Sequence, residues 1–402
     1  TIGLKNMIRY EFNLQYPKPL PREDLDRLIT IAESGLFSRY TSDVVPELET
    51  KLANYYQQEY AITCTSGTAA LQGCLVALDL EPGSEIITTS VADIGIIIPI
   101  LYENLVPVFA DIDKETYNLD PEDVEKKITN KTKVIIAVHL AGNPCDIDSL
   151  LLLCKNNNII LIEDFSQAHG AKWAGKKIGS YGLMSYGSFQ QSKQITCGEG
   201  GVILTSDKEL SRRAFIGVDK AWQRHLPLEE RYYEFLAPNV RFNAIQAAIL
   251  EPQIDRLDTL IERKRNIANL LCMNLKEYSD YINPQKVLEK SFHSYYSFPL
   301  FMNDTISRDG LLDSLDKKYN IRCAYGYANQ VPLYQCVKPL MNPMKYGKNL
   351  YYSNMKYPNG TCPNAEDLLK RSFLLPFNEG YTDQDINEII SRLKMGLSEL
   401  IK

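Results

Sequence analysis

The sequence predicts an α/β fold: a large domain with a mostly parallel central sheet wrapped by helices, followed by a smaller α+β C-terminal domain. Three observations carry this. From about residue 45 to 205, short β-branched runs alternate with helical patterns, as in a parallel sheet covered on both faces. After Asn243 a long periodic stretch intervenes, and beyond it strands and helices follow in mixed order. With 402 residues the chain exceeds what one core usually organises, so the expected division is residues 1–255, with an N-terminal arm, and 256–402, joined by a long helix.

In the first part the expected strands are 60–64, 85–89, 106–110, 133–138, 158–163 and 202–205. Stretches 45–56, 67–78, 121–128 and 146–155 between them have the apolar spacing of amphipathic helices. The stretch 244–278 carries Ile245, Ala248, Ile249, Leu257, Leu260, Ile261 and Ile267 at helical spacing. It reads as one or two helices, with Pro252 marking a kink or break. Further on, 293–302 and 321–327 read as strands, and 307–319 and 383–401 as helices. The last has Thr382 as N-cap, Asp385 in the capping-box position and Ile386, Ile389, Ile390, Leu393 and Leu397 on one face.

Hydrophobic residues make up 45% and charged residues 23%, which excludes the composition of a disordered chain. A net charge of -6 spread over mixed-sign helices argues against a broad nucleic-acid surface, so any anion site is local. Nine cysteines without paired short spacing read as reduced thiols and not as a disulfide framework or a zinc site. The start, Thr1-Ile2-Gly3-Leu4-Lys5, shows no secretory signal, and the apolar stretch 94–101, interrupted by Gly95 and Pro99, is far short of the roughly 20 residues of a membrane span. The expectation is a cytoplasmic protein with no membrane, nucleic-acid or metal partner.

Three segments carry chemistry. Residues 188–201 read Ser-Phe-Gln-Gln-Ser-Lys-Gln-Ile-Thr-Cys-Gly-Glu-Gly-Gly and run directly into a strand. Lys193 there is either a solvated surface lysine beside a hairpin or an amine presented to a carbonyl. An apolar run ends in Glu163-Asp164 and continues Phe165-Ser166-Gln167-Ala168-His169-Gly170. Asp164, at the carboxyl end of a strand, either caps a helix or pairs with a protonated ring nitrogen; His169 reads as a satisfied structural histidine. Thr65-Ser66-Gly67-Thr68 links a strand to a helix. Its backbone N–H groups and helix dipole suit a phosphate, while Ser66 or Thr68 equally suits an ordinary N-cap.

In chain order, the anion cradle, the strand-end aspartate and the turn lysine resemble fold type I pyridoxal-phosphate enzymes, and more narrowly the DegT/StrS family of sugar aminotransferases. The resemblance extends from about Ser34 to the C-terminus and includes Ser34-Gly35-Leu36-Phe37-Ser38, Pro107-Val108-Phe109-Ala110-Asp111-Ile112-Asp113, Val138-His139-Leu140-Ala141-Gly142-Asn143-Pro144 and Asn239-Val240-Arg241-Phe242-Asn243-Ala244. It implies pyridoxal 5′-phosphate as cofactor, Lys193 as the Schiff-base lysine and Asp164 on the pyridine nitrogen. It also implies Gln167 beside the ring hydroxyl, and Ser66, Gly67, Thr68 and Ser188 around the phosphate. Asn239 matches a family asparagine that reaches the phosphate of the neighbouring subunit, which implies a homodimer with shared active sites. The implied reaction moves an amino group from glutamate or glutamine to a keto-sugar, as in sugar-nucleotide metabolism, or to a keto-cyclitol, in polysaccharide or antibiotic biosynthesis. The alternatives are a sugar dehydratase of the same family, in which histidine typically replaces the lysine, and a non-catalytic cofactor-binding regulator.

Three departures from the family pattern bear on the substrate pocket. Residues 88–98 contain no aromatic, and Asp93 stands where the family stacks a ring on the cofactor. Gln190-Gln191 replaces a common His followed by Pro or Ala, and cyclitol enzymes more often carry glutamine at the first position. Val331-Pro332-Leu333-Tyr334 replaces a segment that often ends in histidine.

Overall fold

The β-branched runs of the first half build a seven-stranded sheet. The computed structural model describes residues 20–303, 307–326, 330–343, 351 and 355–401; the start of the chain, where an N-terminal arm is expected, and the expected strand end at Tyr327 lie outside the described residues. The strands are β1 (Tyr60–Cys64), β2 (Glu85–Thr89), β3 (Val106–Ala110), β4 (Thr132–Val138) and β5 (Ile160–Asp164), then, after the hairpin β6 (Lys172–Trp173) and β7 (Lys176–Lys177), β8 (Met184–Ser188) and β9 (Gly201–Thr205). Their order is β1-β9-β8-β5-β4-β2-β3. From β3 to β8 all neighbours pair in parallel, and β9 alone runs against both β8 and β1.

Both faces of this sheet are covered. Along β4, Val134, Ile136 and Val138 enter one apolar cluster while Ile135 and Ala137 enter another. Alternation of side chains across a strand thus fills two cores, and the strand reads as an unbroken apolar run. Each such isoleucine, fully buried, contributes about 1.5–3 kcal/mol. The flanking helices are α1 (Arg22–Ser34), α2 (Val44–Tyr56), α3 (Gly67–Leu78), α4 (Ile97–Tyr102), α5 (Pro121–Lys127), α6 (Ile147–Asn157) and α7 (Lys208–Gly217).

The helix α8 (Ala244–Leu275) is continuous over 32 residues, with Asn243 capping it and Pro252 inside, so no break falls at the proline. Buried Ala247, Ala248, Leu250, Ile254 and Leu257 clamp the turns around Pro252, and Gln253 Nε2 donates to the Ile249 carbonyl at 2.7 Å. Packing overrides the lost backbone bond. Residues of α8 as far as Ile261 belong to the core that also holds α2 and β9, whereas Ile267, Leu271 and Leu275 belong to a second core.

That second core lies on an antiparallel sheet, β10-β12-β14-β13, built from β10 (Ile282–Pro284), β12 (Phe298–Met302), β13 (Ala324–Tyr325) and β14 (Ser372–Leu375). The two-residue β11 (Ser291–Phe292) instead pairs with β6. Helices α9 (Arg308–Tyr319) and Asp383–Leu400 cover the four-stranded sheet, the latter opened by the expected capping box of Thr382 and Asp385. The strand expected over 293–302 starts only at Phe298, because Tyr295 has φ +49° and its N–H turns back to His293 Nδ1 at 2.9 Å. The strand expected from 321 reduces to Ala324–Tyr325 after a bridge at Ile321. Between the sheets, α10 (Leu333–Cys336), α11 (Lys338–Met341) and the helix Pro363–Arg371 return to the first core through Leu333, Leu340, Ala365 and Leu369. No described helix is long and apolar enough to cross a membrane.

Candidate active site

Parallel strands of one sheet deliver their carboxyl ends to the same edge, where ligands of open sheets bind. Here that edge opens onto a cavity of about 950 Å³. Ser66, Gly67, Thr68, Asp93, Asp164, Gln167, Ser188, Gln190 and Lys193 all line it. Asn239 does not. It is exposed, on a segment that bridges back to Asp219, a buried carboxylate held by Arg224, Arg241 and Tyr40. Burial opposes ionisation of Asp219, but these partners outweigh it and keep its carboxyl below the usual range.

At the end of β1, Ser66 is the N-cap of α3, its hydroxyl accepting the Ala69 N–H at 3.1 Å. It therefore caps the helix and lines the cavity at once. The turn is held close to its neighbours. A Cβ on Gly67 would lie 2.9 Å from Ser188 Cβ, and one on Gly201 would lie 2.2 Å from the Ser66 carbonyl oxygen. Only glycine admits this approach, which brings the α3 N-terminus against Ser188. Below, His169 Nε2 meets the Ser188 carbonyl at 2.8 Å and Nδ1 meets Tyr56 Oη at 2.7 Å. A carbonyl only accepts, so Nε2 carries a proton; the histidine is buried and holds the Ser188 main chain against Tyr56.

Asp164 ends β5, one oxygen accepting the Ser166 N–H at 2.9 Å and the other the Tyr186 hydroxyl at 2.8 Å. Its neighbour Glu163 points to the opposite face, fully buried, where it receives the N–H groups of Gly179, Tyr181 and Gly182 and faces His139 Nε2 at 3.3 Å. Burial alone raises its pKa, but these donors hold the carboxyl below the ordinary value, anchoring the strand end as an anion. Gln167 Oε1 accepts the Ala141 N–H at 2.8 Å, which fixes the side chain at the cavity wall.

Lys193 sits in the loop between β8 and β9, its N–H on the Gln190 carbonyl at 2.9 Å and its Nζ 4.8 Å over the ring of Tyr296. Gln190 Oε1 takes both the N–H and the hydroxyl of Ser192, at 2.8 and 2.7 Å, and Ser192 Oγ meets Tyr296 Oη at 2.9 Å. From behind, Gln253 of α8 bonds both the N–H and the carbonyl of Thr196. Asp93 caps the short turn Ile94–Ile96, accepting the Gly95 N–H at 2.7 Å, and is exposed at the cavity rim.

Tyr186, Tyr296, Leu333, Cys336 and Val337 also line the cavity and were not singled out from the sequence as site residues. Tyr186 belongs to β8, whose Met-Ser-Tyr-Gly-Ser carries little strand signal. Leu333 lies in the segment that departs from the family pattern, and Cys336 and Val337 follow just after it; their i, i+3, i+4 spacing was the available sign of one shared face.

Comparison with known proteins matches residues 20–394 to the model of the DegT/DnrJ/EryC1/StrS aminotransferase family. GDP-perosamine synthase of Escherichia coli O157:H7 is 33% identical over 357 residues, 86% of this chain and 90% of that one. A putative L-glutamine:3-amino-2,3-dideoxy-scyllo-inosose aminotransferase of Micromonospora echinospora is 31% identical over 73% of this chain and 71% of its own. The X-ray structure of the aminotransferase from Psychrobacter cryohalolentis superimposes with a TM-score of 0.87 at 26% identity, over 96% of this chain and all of that one. With the match covering both sheets and the whole cavity edge, the chain belongs to the DegT/DnrJ/EryC1/StrS aminotransferase family and is a fold type I, pyridoxal-phosphate-dependent aminotransferase.

Proposed function

We propose that the protein transfers an amino group from glutamate or glutamine to the ketone of a sugar nucleotide or of a cyclitol, acting in the cytoplasm as a homodimer with shared active sites. The carrying observation is that one cavity gathers Lys193, Asp164, Gln167 and the α3 N-terminus.

The residues present fit pyridoxal 5′-phosphate. The glycine-bounded turn at Ser66–Gly67 is a cradle that any Cβ would fill, and it offers backbone N–H groups, a helix dipole and the Ser188 hydroxyl to a dianion. Asp164 suits a protonated ring nitrogen, and Gln167 a ring hydroxyl. When bound, the cofactor supplies an electron-withdrawing ring that stabilises negative charge on the carbon bearing the transferred nitrogen. Lys193, presented by its loop, would hold the cofactor, and its amine would take the proton from the donor's α-carbon as base and return it as acid. Asp164 would accept the ring N–H. Gln190 and Asp93, at the rim, face the acceptor, and Leu333, Cys336 and Val337 give it an apolar wall. The exposed Asn239 is the residue offered to a partner's phosphate site. Two domains sharing α8 are kept in this reading, the boundary at 255/256 falling inside that helix.

The dehydratase alternative is disfavoured by Lys193, since histidine typically stands there in that branch. The test is absorbance of the cofactor-loaded protein with glutamate or glutamine, followed by a panel of keto-sugar nucleotides and keto-cyclitols. Bleaching of the visible band by a donor, and its return with one acceptor together with an aminated product, is expected. A band untouched by either donor would overturn the assignment.

A further inference from the structure

The geometry points to Tyr186 as a positioning residue for Asp164: its phenolic O–H fixes one carboxylate oxygen and so sets the plane of the group, an inference that rests on the ring-nitrogen role proposed above. Asp164 and Tyr186 are register partners on the parallel pair β5 and β8. Paired residues on neighbouring strands project from the same face, so the phenol stands behind the carboxylate, at the back wall of the cavity.

Both oxygens of Asp164 are thereby tied, one by the main chain two residues on and the other by the adjacent strand. The carboxylate plane cannot turn without losing one of the two bonds. An ionised carboxylate offers about four acceptor positions, so two donors still leave capacity for a ring N–H. Tyr186 itself is 3% exposed and packs in an apolar cluster with Ile62, Cys74 and Ile203. Phenylalanine would fill that space equally well. What the hydroxyl adds is the bond to Asp164, and a hydroxyl buried there without it would be unfavourable.

The phenol is a donor at every working pH. Burial first, then the charge and hydrogen bond of Asp164, and the more distant Cys74 and Asp93, push its pKa far above the usual tyrosine value. Among the described residues, Asp93, Lys193, Glu199 and Tyr296 also line the cavity, Cys74 of α3 lies behind the ring, and Cys145 feels the Asp164 charge; burial raises both thiols and keeps them neutral. Tyr186 therefore holds the Asp164 carboxylate in one orientation towards the ring nitrogen.

The test compares the parent with Tyr186→Phe and Asp164→Asn as full chains. In cofactor-free protein labelled with 13C at aspartate carboxyls, the Asp164 resonance is the one missing from Asp164→Asn. In Tyr186→Phe that resonance should move, because the carboxylate loses the donor on one oxygen, and the glutamate half-reaction should slow about tenfold at an unchanged cofactor dissociation constant. Should Tyr186→Phe fail to fold, 3-fluorotyrosine at position 186, a stronger donor of almost the same shape, should move the resonance the other way and keep the half-reaction at the parental rate. An unmoved resonance in a folded variant overturns the inference. If Asp164→Asn leaves the half-reaction at the parental rate, the role of Asp164 and this inference fail together; if that variant is slow while Tyr186→Phe matches the parent in resonance and rate, this inference fails alone.

Discussion

Replacing Gly201 by alanine tests the most closely packed point of the proposed phosphate cradle. The new Cβ would lie 2.2 Å from the Ser66 oxygen, 2.4 Å from its carbonyl carbon and 2.8 Å from the Gly67 nitrogen, against the 3.4 Å at which ordinary contact begins. All three are backbone atoms, so no side chain can swing aside and the first residue of β9 has to part from the β1–α3 turn by about 1 Å. The cost belongs at the upper end of overpacking, about 3 kcal/mol. For a chain of this size that lowers the unfolding midpoint by roughly 4 °C. The same movement pulls Ser66 and Gly67 from Ser188, so the dissociation constant for pyridoxal phosphate should weaken at least about tenfold, equivalent to ~1.4 kcal/mol. Gly198→Ala is the control: its φ of +89° strains an alanine, but nothing lies within 4 Å of the added carbon. Only the backbone term of about 1 kcal/mol applies there, with affinity changed less than about threefold. Thermal unfolding of the cofactor-free proteins and a fluorescence titration with the cofactor give both quantities. A Gly201→Ala protein indistinguishable from Gly198→Ala in both would refute the close approach of β9 to the cradle.

Three further outcomes are expected. Lys193→Ala should abolish turnover, by more than about a thousandfold, while the unfolding midpoint stays within a few degrees and cofactor still binds through the phosphate; near-normal transamination by purified variant would remove Lys193 from its role. Asp93→Phe should change acceptor preference or the spectrum of the bound cofactor, because Asp93 lies on the cavity rim where the family pattern has a stacking ring; a variant unchanged in both excludes Asp93 from the pocket chemistry. Mixing Lys193→Ala with Asn239→Ala chains should restore activity towards half the parental value per dimer, since one site in each mixed dimer then carries neither lesion. Absence of recovery in demonstrated heterodimers, with Asn239→Ala alone clearly impaired, means each site is built within one chain.

What could be read in the sequence was what local chemistry encodes. The helix Gly67–Leu78 and the Thr382 capping box are found where expected, because an N-cap and apolar spacing decide them within a few residues. Strands β1, β2 and β3 match for the same reason, being β-branched runs between turns. Lys193, Asp164 and Ser66 were legible as short motifs. Tyr186 was not, since strand β8 is mostly small and polar and owes its place to pairing with β5 and β9. Tyr296 reaches Ser192 across 104 positions of sequence, and Leu333 enters the first core from beyond the second sheet; neither distance leaves a local trace. The strand expected to begin at 293 failed because aromatic composition suggested extended chain, whereas His293 and Tyr295 are stacked side chains in a turn, 3.7 Å apart with rings almost parallel.

Helix α8 has a thermodynamic consequence. At 1.5 Å per residue its 32 residues make a rod of about 48 Å. Leu257 and Ile261 are buried under the seven-stranded sheet and Ile267 to Leu275 under the four-stranded one, so neither core can melt without stripping apolar surface from the rod that completes the other. The returning Leu333 and Leu369 add a second tie of the same kind. Calorimetry of the cofactor-free chain should therefore record one endotherm, its van't Hoff and calorimetric enthalpies agreeing, and not two resolved by domain.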